Sequence, residues 1–163
     1  MATLYQMEEV VKILFDEFTL LKSDLIKKYD EKGMRASGNW ANSLELNQRR
    51  LSIKLLGEPY SQQLETGRKA GRFPPIKAIE QWIIDKGISS RIEGKISISS
   101  LAFLIARKIA KEGWKRQNYG GVDLISEVVT DQRIQTIIDK CGEKVVAIYV
   151  TEIISIFNEL ELA

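Results

Sequence analysis

Histidine does not occur in this chain, and cysteine occurs once, at Cys141. A disulfide framework needs paired cysteines and a Cys/His zinc site needs several ligands, so both are excluded, together with any catalytic histidine. Most hydrolase chemistries go with it. Cys141, with no imidazole to act as its base, reads as a small apolar core residue. Long hydrophobic runs are also missing: stretches such as Val145 to Val150 stop far short of the roughly 20 residues of a membrane helix, so no membrane span is expected. The first thirty residues mix Glu8, Glu9, Asp16, Glu17 and Asp24 with lysines, unlike a signal-peptide core. That predicts a protein made and kept in cytoplasm, or carried out in an assembly. An excess of one charge is lacking too, since 24 Lys+Arg against 22 Asp+Glu leave +2. Such a balance does not attract nucleic acid or anionic lipid by overall charge. What is present, 44% hydrophobic and 28% charged residues in a chain of 163 with three prolines, specifies one compact domain or a domain with a docked extension.

From Thr3 to Lys32, Val11, Leu14, Phe15, Phe18, Leu21 and Leu25 recur at three- and four-residue steps, which predicts a helix ended by Gly33. Leu44 and Leu46, then Leu51, Ile53 and Leu55, alternate with polar residues and predict two strands joined at Asn47-Gln48-Arg49-Arg50. Glu58 to Thr66 reads as a short helical turn with Tyr60 and Leu64 inward. Gly67 to Pro75, with two glycines and two prolines, can propagate neither helix nor central strand and is a shaped loop. Pro75 then opens a helix whose face is Ile76, Ile79, Trp82 and Ile83, stopped by Gly87. Residues 88–98 form a second small hairpin or an irregular excursion. Ser99 or Ser100 caps the next helix, with Leu101, Leu104, Ile105 and Ile109 on one face, a small-residue row of Ala102, Ala106 and Ala110, and Gly113 as its end. After a turn at Asn118-Tyr119-Gly120-Gly121, Leu124 to Val129 begin a helical tract that Gly142 interrupts. Residues 143–160 are read as helix in spite of local β preference.

Charge is unevenly distributed along the chain. Residues 49–77 hold seven basic and two acidic side chains, 107–116 five and one, and 121–163 three and eight. Opposite patches on one molecule favour head-to-tail contacts that close into a ring, although solvated helix faces would cluster charge as well. Arg68, Lys69 and Arg72 lie in a glycine-bearing loop, but the spacing matches neither nucleotide-binding glycine pattern. Contact with DNA phosphates needs no such geometry. Trp40, Tyr60, Phe73 and Tyr119 read as core or subunit-contact aromatics rather than base-stacking ones. Carboxylate pairs such as Glu8-Glu9 or Asp30-Glu31 read as helix-surface charge, so no metal site, cofactor site or catalytic constellation is expected.

The run from Tyr60 through Leu64-Glu65-Thr66-Gly67-Arg68-Lys69-Ala70-Gly71-Arg72-Phe73-Pro74-Pro75-Ile76 to Ile79, Trp82-Ile83 and Lys86-Gly87 resembles the pattern of neck and tail-completion proteins of tailed bacteriophages. Leu101 to Gly113 is similar to the helix that follows in those proteins. From Tyr60 to Gly113 the two blocks together span about a third of the chain. They depart from the pattern at Trp114, where a small polar residue is common, and in the length of 88–98. The resemblance implies an α+β fold: a long N-terminal helix, a β-hairpin or small antiparallel sheet, then packed helices. Residues 1–120 would form the connector-like core, and 121–163 a helical C-terminal extension docked on the same domain or on a neighbour. It implies a head–tail connector or tail-completion subunit without catalysis, assembled in the host bacterial cytoplasm and residing in the virion neck. Its partners would be copies of itself in a six- or twelve-fold homo-oligomeric ring around the DNA channel, and the portal or adjacent neck and tail proteins. The expected contact residues, toward a neighbour's acid or the DNA backbone, are Arg49, Arg50, Arg68, Lys69, Arg72, Phe73, Pro74 and Pro75. The alternative is a small DNA-binding protein using the basic 49–77 region.

Overall fold

A computed structural model describes residues 4–50, 52–92, 94, 96–115 and 122–161, with the side chains of 7–155 among them. The fold is α+β, seven helices and one two-stranded antiparallel sheet among the described residues. Its contacts group into two compact units: residues 1–24, 44–56 and 128–163 form the first, and 25–43 and 57–127 the second. Helix α1 (Leu4–Glu31) begins in the first unit and ends in the second.

In the first unit, α1 contributes Val10, Val11 and Leu21 to the core, and α7 (Asp131–Glu161) contributes Ile137 and Ile148. The two helices run antiparallel, as three ion pairs show: Glu9 with Lys144, Glu17 with Lys140, and Asp24 with Arg133 at 2.6 Å. Such partly exposed pairs add little stability, but they set the register of one helix on the other. Helix α7 starts at Asp131 because Thr130 caps it, its Oγ1 accepting from the Arg133 N–H at 3.2 Å, and Asp131 suits the positive end of the dipole. The expected start at Leu124 and break at Gly142 are therefore both corrected. Gly142 costs a helix interior only about 1 kcal/mol, and Lys140 and Lys144 on either side of it are both paired with α1.

The hairpin also belongs to the first unit: β1 (Glu45–Arg49) pairs with β2 (Ser52–Leu56), Leu46 opposite Leu55 and Gln48 opposite Ile53. The expected connection at 47–50 moves toward the C-terminus, because Asn47, Gln48 and Arg49 are ladder residues and Arg49 pairs with Ser52. Leu51, expected in the second strand, lies outside the described residues. Leu46, Ile53 and Leu55 are half-buried on one face, while the other face is exposed.

In the second unit, Tyr29 and Trp40 stack with ring centroids 4.7 Å apart. Trp40, on α2 (Asn39–Ser43), is buried and donates from Nε1 to Ser61 Oγ at 2.9 Å, which in turn donates to Glu58 O at 2.6 Å. Gly33, at φ +59, ends α1 as expected. The other core of this unit packs α4 (Ile76–Asp85) on α6 (Ile98–Glu112): Ile79 and Ile83 meet Ala102 and Ala106, with Leu101, Ile105 and Ile109 at the margin. The alanine row is thus the close-approach face. Trp82 and Leu104, expected in the core, are 41% and 42% exposed. Ser97, rather than Ser99 or Ser100, caps α6, its Oγ accepting from the Ser100 N–H at 3.1 Å. Segment 88–98 holds the short helix α5 (Ser89–Ile92) where a hairpin was one expectation. The expected turn at 118–121 lies outside the described residues.

Candidate functional site

The loop 67–75 joins α3 (Ser61–Thr66) to α4 and is built on two helix ends. Gly67 terminates α3 at φ 73, ψ −159, and Gly113 terminates α6 at φ 75, ψ −166. Only glycine adopts that region readily. Beside these two residues the strands of backbone exchange hydrogen bonds as an isolated antiparallel bridge: Arg68 N–H donates to Trp114 O at 2.8 Å, and Trp114 N–H to Arg68 O at 2.6 Å. The approach is so close that a Cβ on Gly67 would stand 2.3 Å from Trp114 O, and one on Gly113 2.5 Å from Arg68 O. Gly71 N–H then donates to Ala110 O at 2.8 Å, satisfying one of the carbonyls that the C-terminus of α6 leaves open.

The side chains complete the brace. Arg68 is half-buried and turns back on its own loop, donating from Nη2 to Arg72 O at 2.8 Å. It was expected to project outward with Arg72; instead it holds the loop in shape. Pro74 is buried and Pro75, extended at φ −60 and ψ 119, is the N-cap of α4 rather than its first residue. Lys69 and Arg72 are exposed, as is Phe73 at 46%, its ring 6.1 Å from that of Phe103 on α6. An open hollow of about 300 Å³ lies beside the brace, lined by Tyr60, Gln63, Arg68, Pro74, Ile109 and Trp114. Partial burial, with the nearby Glu58 charge, pushes the Tyr60 hydroxyl above its usual range. Tyr60, expected to point inward, is 41% exposed.

Arg49 and Arg50 are exposed at the hairpin end of the first unit, whereas the loop residues belong to the second. The residue that sequence reasoning missed is Glu65. Its carboxylate accepts from the Ile125 N–H at 2.7 Å and the Ser126 N–H at 3.3 Å, and its carbonyl accepts from Asp123 N–H at 2.8 Å. Segment 124–128 forms turns where helix was expected, with Asp123 at φ 60 and Glu65 holding its leading N–H groups. Nothing local signals a partnership across sixty residues of chain. Nearby, Glu127 accepts from Lys32 and stands 3.0 Å from Lys28. Those hydrogen bonds hold the Glu127 carboxyl below the usual range and raise Lys28 above its own.

Among the described residues no three His, Cys, Asp or Glu side chains come together as a metal site would require, and no helix is long and apolar enough to cross a membrane. The Cys141 thiol is pushed up by burial, then by Glu17, which disfavours the thiolate. Against known proteins, the chain matches no family model, no curated protein and no solved structure.

Proposed function

We propose that this chain is a structural subunit of a tailed-phage neck, a head–tail connector or tail-completion ring component that works by mating with copies of itself and with adjoining virion proteins. The observation that carries the reading is the clasped loop: paired backbone at Arg68 and Trp114 and the Gly71 to Ala110 bond fix a short segment that presents Lys69, Arg72 and Phe73 to solvent. A loop held this way would lose less backbone entropy on docking to a protein surface than a free one. The loop sits within the Tyr60 to Gly87 run on which the resemblance to neck proteins rests. Among the described residues the sheet holds no strand besides β1 and β2, so the outer edges of the hairpin would offer strand pairing to another subunit.

The test is light scattering and negative-stain imaging of the full chain, alone and with virion components. Rings, or incorporation into particles, are the expected result; a persistent monomer that never enters particles overturns it. Arg72→Glu is expected to block incorporation with helical content unchanged, because its side chain is exposed. Salt-dependent retention of a short specific duplex at physiological ionic strength, without assembly, would select the DNA-binding alternative.

A further inference from the structure

Helix α7 spends its cations on α1. Arg133, Lys140 and Lys144 pair with Asp24, Glu17 and Glu9, whereas Asp131, Asp139 and Glu143 are exposed and make no ion pair among the described residues. The same side of α7 carries Val146, Tyr149, Val150 and Ile153, which are 48% to 61% exposed. Helix α6, in the second unit, is its complement. The side of α6 opposite Ala102 and Ala106 presents Phe103 and Leu104, 46% and 42% exposed, followed by exposed Arg107, Lys108 and Lys111, which make no ion pair among the described residues either.

The order and spacing of the two rows match in opposite directions. On α6 an apolar residue, a cation and a cation stand at 104, 107 and 111; on α7 an apolar residue, an anion and an anion stand at 146, 143 and 139. Steps of three and four residues keep each row on one face of its helix. Laid antiparallel, Leu104 faces Val146, Arg107 faces Glu143 and Lys111 faces Asp139, all three pairs at once.

We infer that the outer face of α7 docks on the outer face of α6 of a second copy of this chain. The inference rests on the ring reading above and assigns its contact faces. Because each chain carries one face of each kind, the contact joins unlike patches, and in the ring reading it runs head to tail from copy to copy until it closes. Two α7 faces do not pair as well with each other, since both present Asp139 and Glu143 and like charges in register repel.

The experiment measures mass by light scattering, over the micromolar range, for the wild-type chain, for Arg107→Glu/Lys111→Glu, for Asp139→Lys/Glu143→Lys, and for an equal mixture of the two variants. All four positions are exposed, and circular dichroism verifies that each variant keeps its helices. The wild type is expected to associate, each variant alone to fall to the 18.6 kDa of a single chain, and the mixture to regain the wild-type mass, because every reversed face then meets its opposite. Variants that keep the wild-type mass overturn this contact while leaving the ring reading intact. A mixture that stays monomeric also overturns it. A wild type that is monomeric at every concentration removes the contact, and incorporation into particles then decides the ring reading separately.

Discussion

At Gly113 and Gly67 two separate demands fall on one atom. A side chain there meets both a positive φ and a carbonyl closer than any real Cβ tolerates. Gly87 has the first demand without the second, with φ +64 and open space around it. Gly87→Ala is therefore expected to cost about 1–2 kcal/mol, the price of a left-handed L-residue, and Gly113→Ala clearly more, because the bridge to Arg68 must also part. Urea unfolding of the two variants measures the difference, and equal losses would mean that the clasp is loose in solution. Glu65 is the other residue whose removal reaches across the chain: Glu65→Ala leaves the Ile125 and Ser126 N–H groups without their acceptor and is expected to cost about 1–2 kcal/mol. Amide exchange at Ile125 should accelerate with it. Glu127 acts through its charge. Its folded pKa is lowered, by Lys32 first and then Lys28, so its contribution is complete above the ordinary glutamate range and lost as pH falls toward the lowered value. Glu127 is 41% exposed, so solvent screens the pair and the effect is small. Comparing urea midpoints at about pH 6 and about pH 3, Glu127→Gln is expected to flatten the acid-side decline.

Among the elements, α4 and α6 separate burial from mere hydrophobicity. Ile83 is fully buried against Ala102 and Ala106, while the adjacent Trp82 is 41% exposed. Ile83→Ala is expected to cost about 2–5 kcal/mol and Ala106→Leu, which overfills the crossing, about 1–3 kcal/mol. Trp82→Ala should cost less than either, although tryptophan is the larger side chain; thermal unfolding of the three variants ranks them. The same pair shows what sequence periodicity carries. Helix existence, the Gly33 and Gly113 ends and the alanine row were legible, because spacing and terminal glycines are local properties. How far the apolar stripe of each helix enters the core was not, since Trp82 and Leu104 fit it as well as the residues actually buried. The hairpin was placed correctly, but its connection was displaced, because polar Asn47 and Gln48 look like turn residues until the ladder to Lys54 and Ile53 is known. For the site, the glycines and prolines announced a shaped loop, yet its backbone clasp is made between Arg68 and Trp114, and the segment after Asp123 is anchored on Glu65. Both partnerships join residues far apart in sequence.

For the molecule as a whole, the chain passes between its two units at 24/25, 43/44, 56/57 and 127/128, and the units are not equally packed. Trp40, Ile83 and Leu124, the largest fully buried side chains, all belong to the second unit. In the first, α7 leaves Ile134, Ile138, Val146, Tyr149, Val150, Ile153 and Ile154 between 43% and 61% exposed, so it gains less from burial per residue ordered. All three tryptophans, Trp40, Trp82 and Trp114, lie in the second unit, so their fluorescence reports on it alone. Far-UV dichroism, by contrast, weighs the 31-residue α7 heavily. The dissociated chain is expected to lose part of its helical signal at lower urea than its tryptophan signal, because α7 opens before the Trp40 and Ile83 cores. Coincident curves would instead show one cooperative unit. Covering the α7 face by a second copy binds the folded form only, and therefore raises the first transition with protein concentration and leaves the second nearly fixed. In Arg107→Glu/Lys111→Glu that dependence on concentration should vanish, with the two transitions remaining apart.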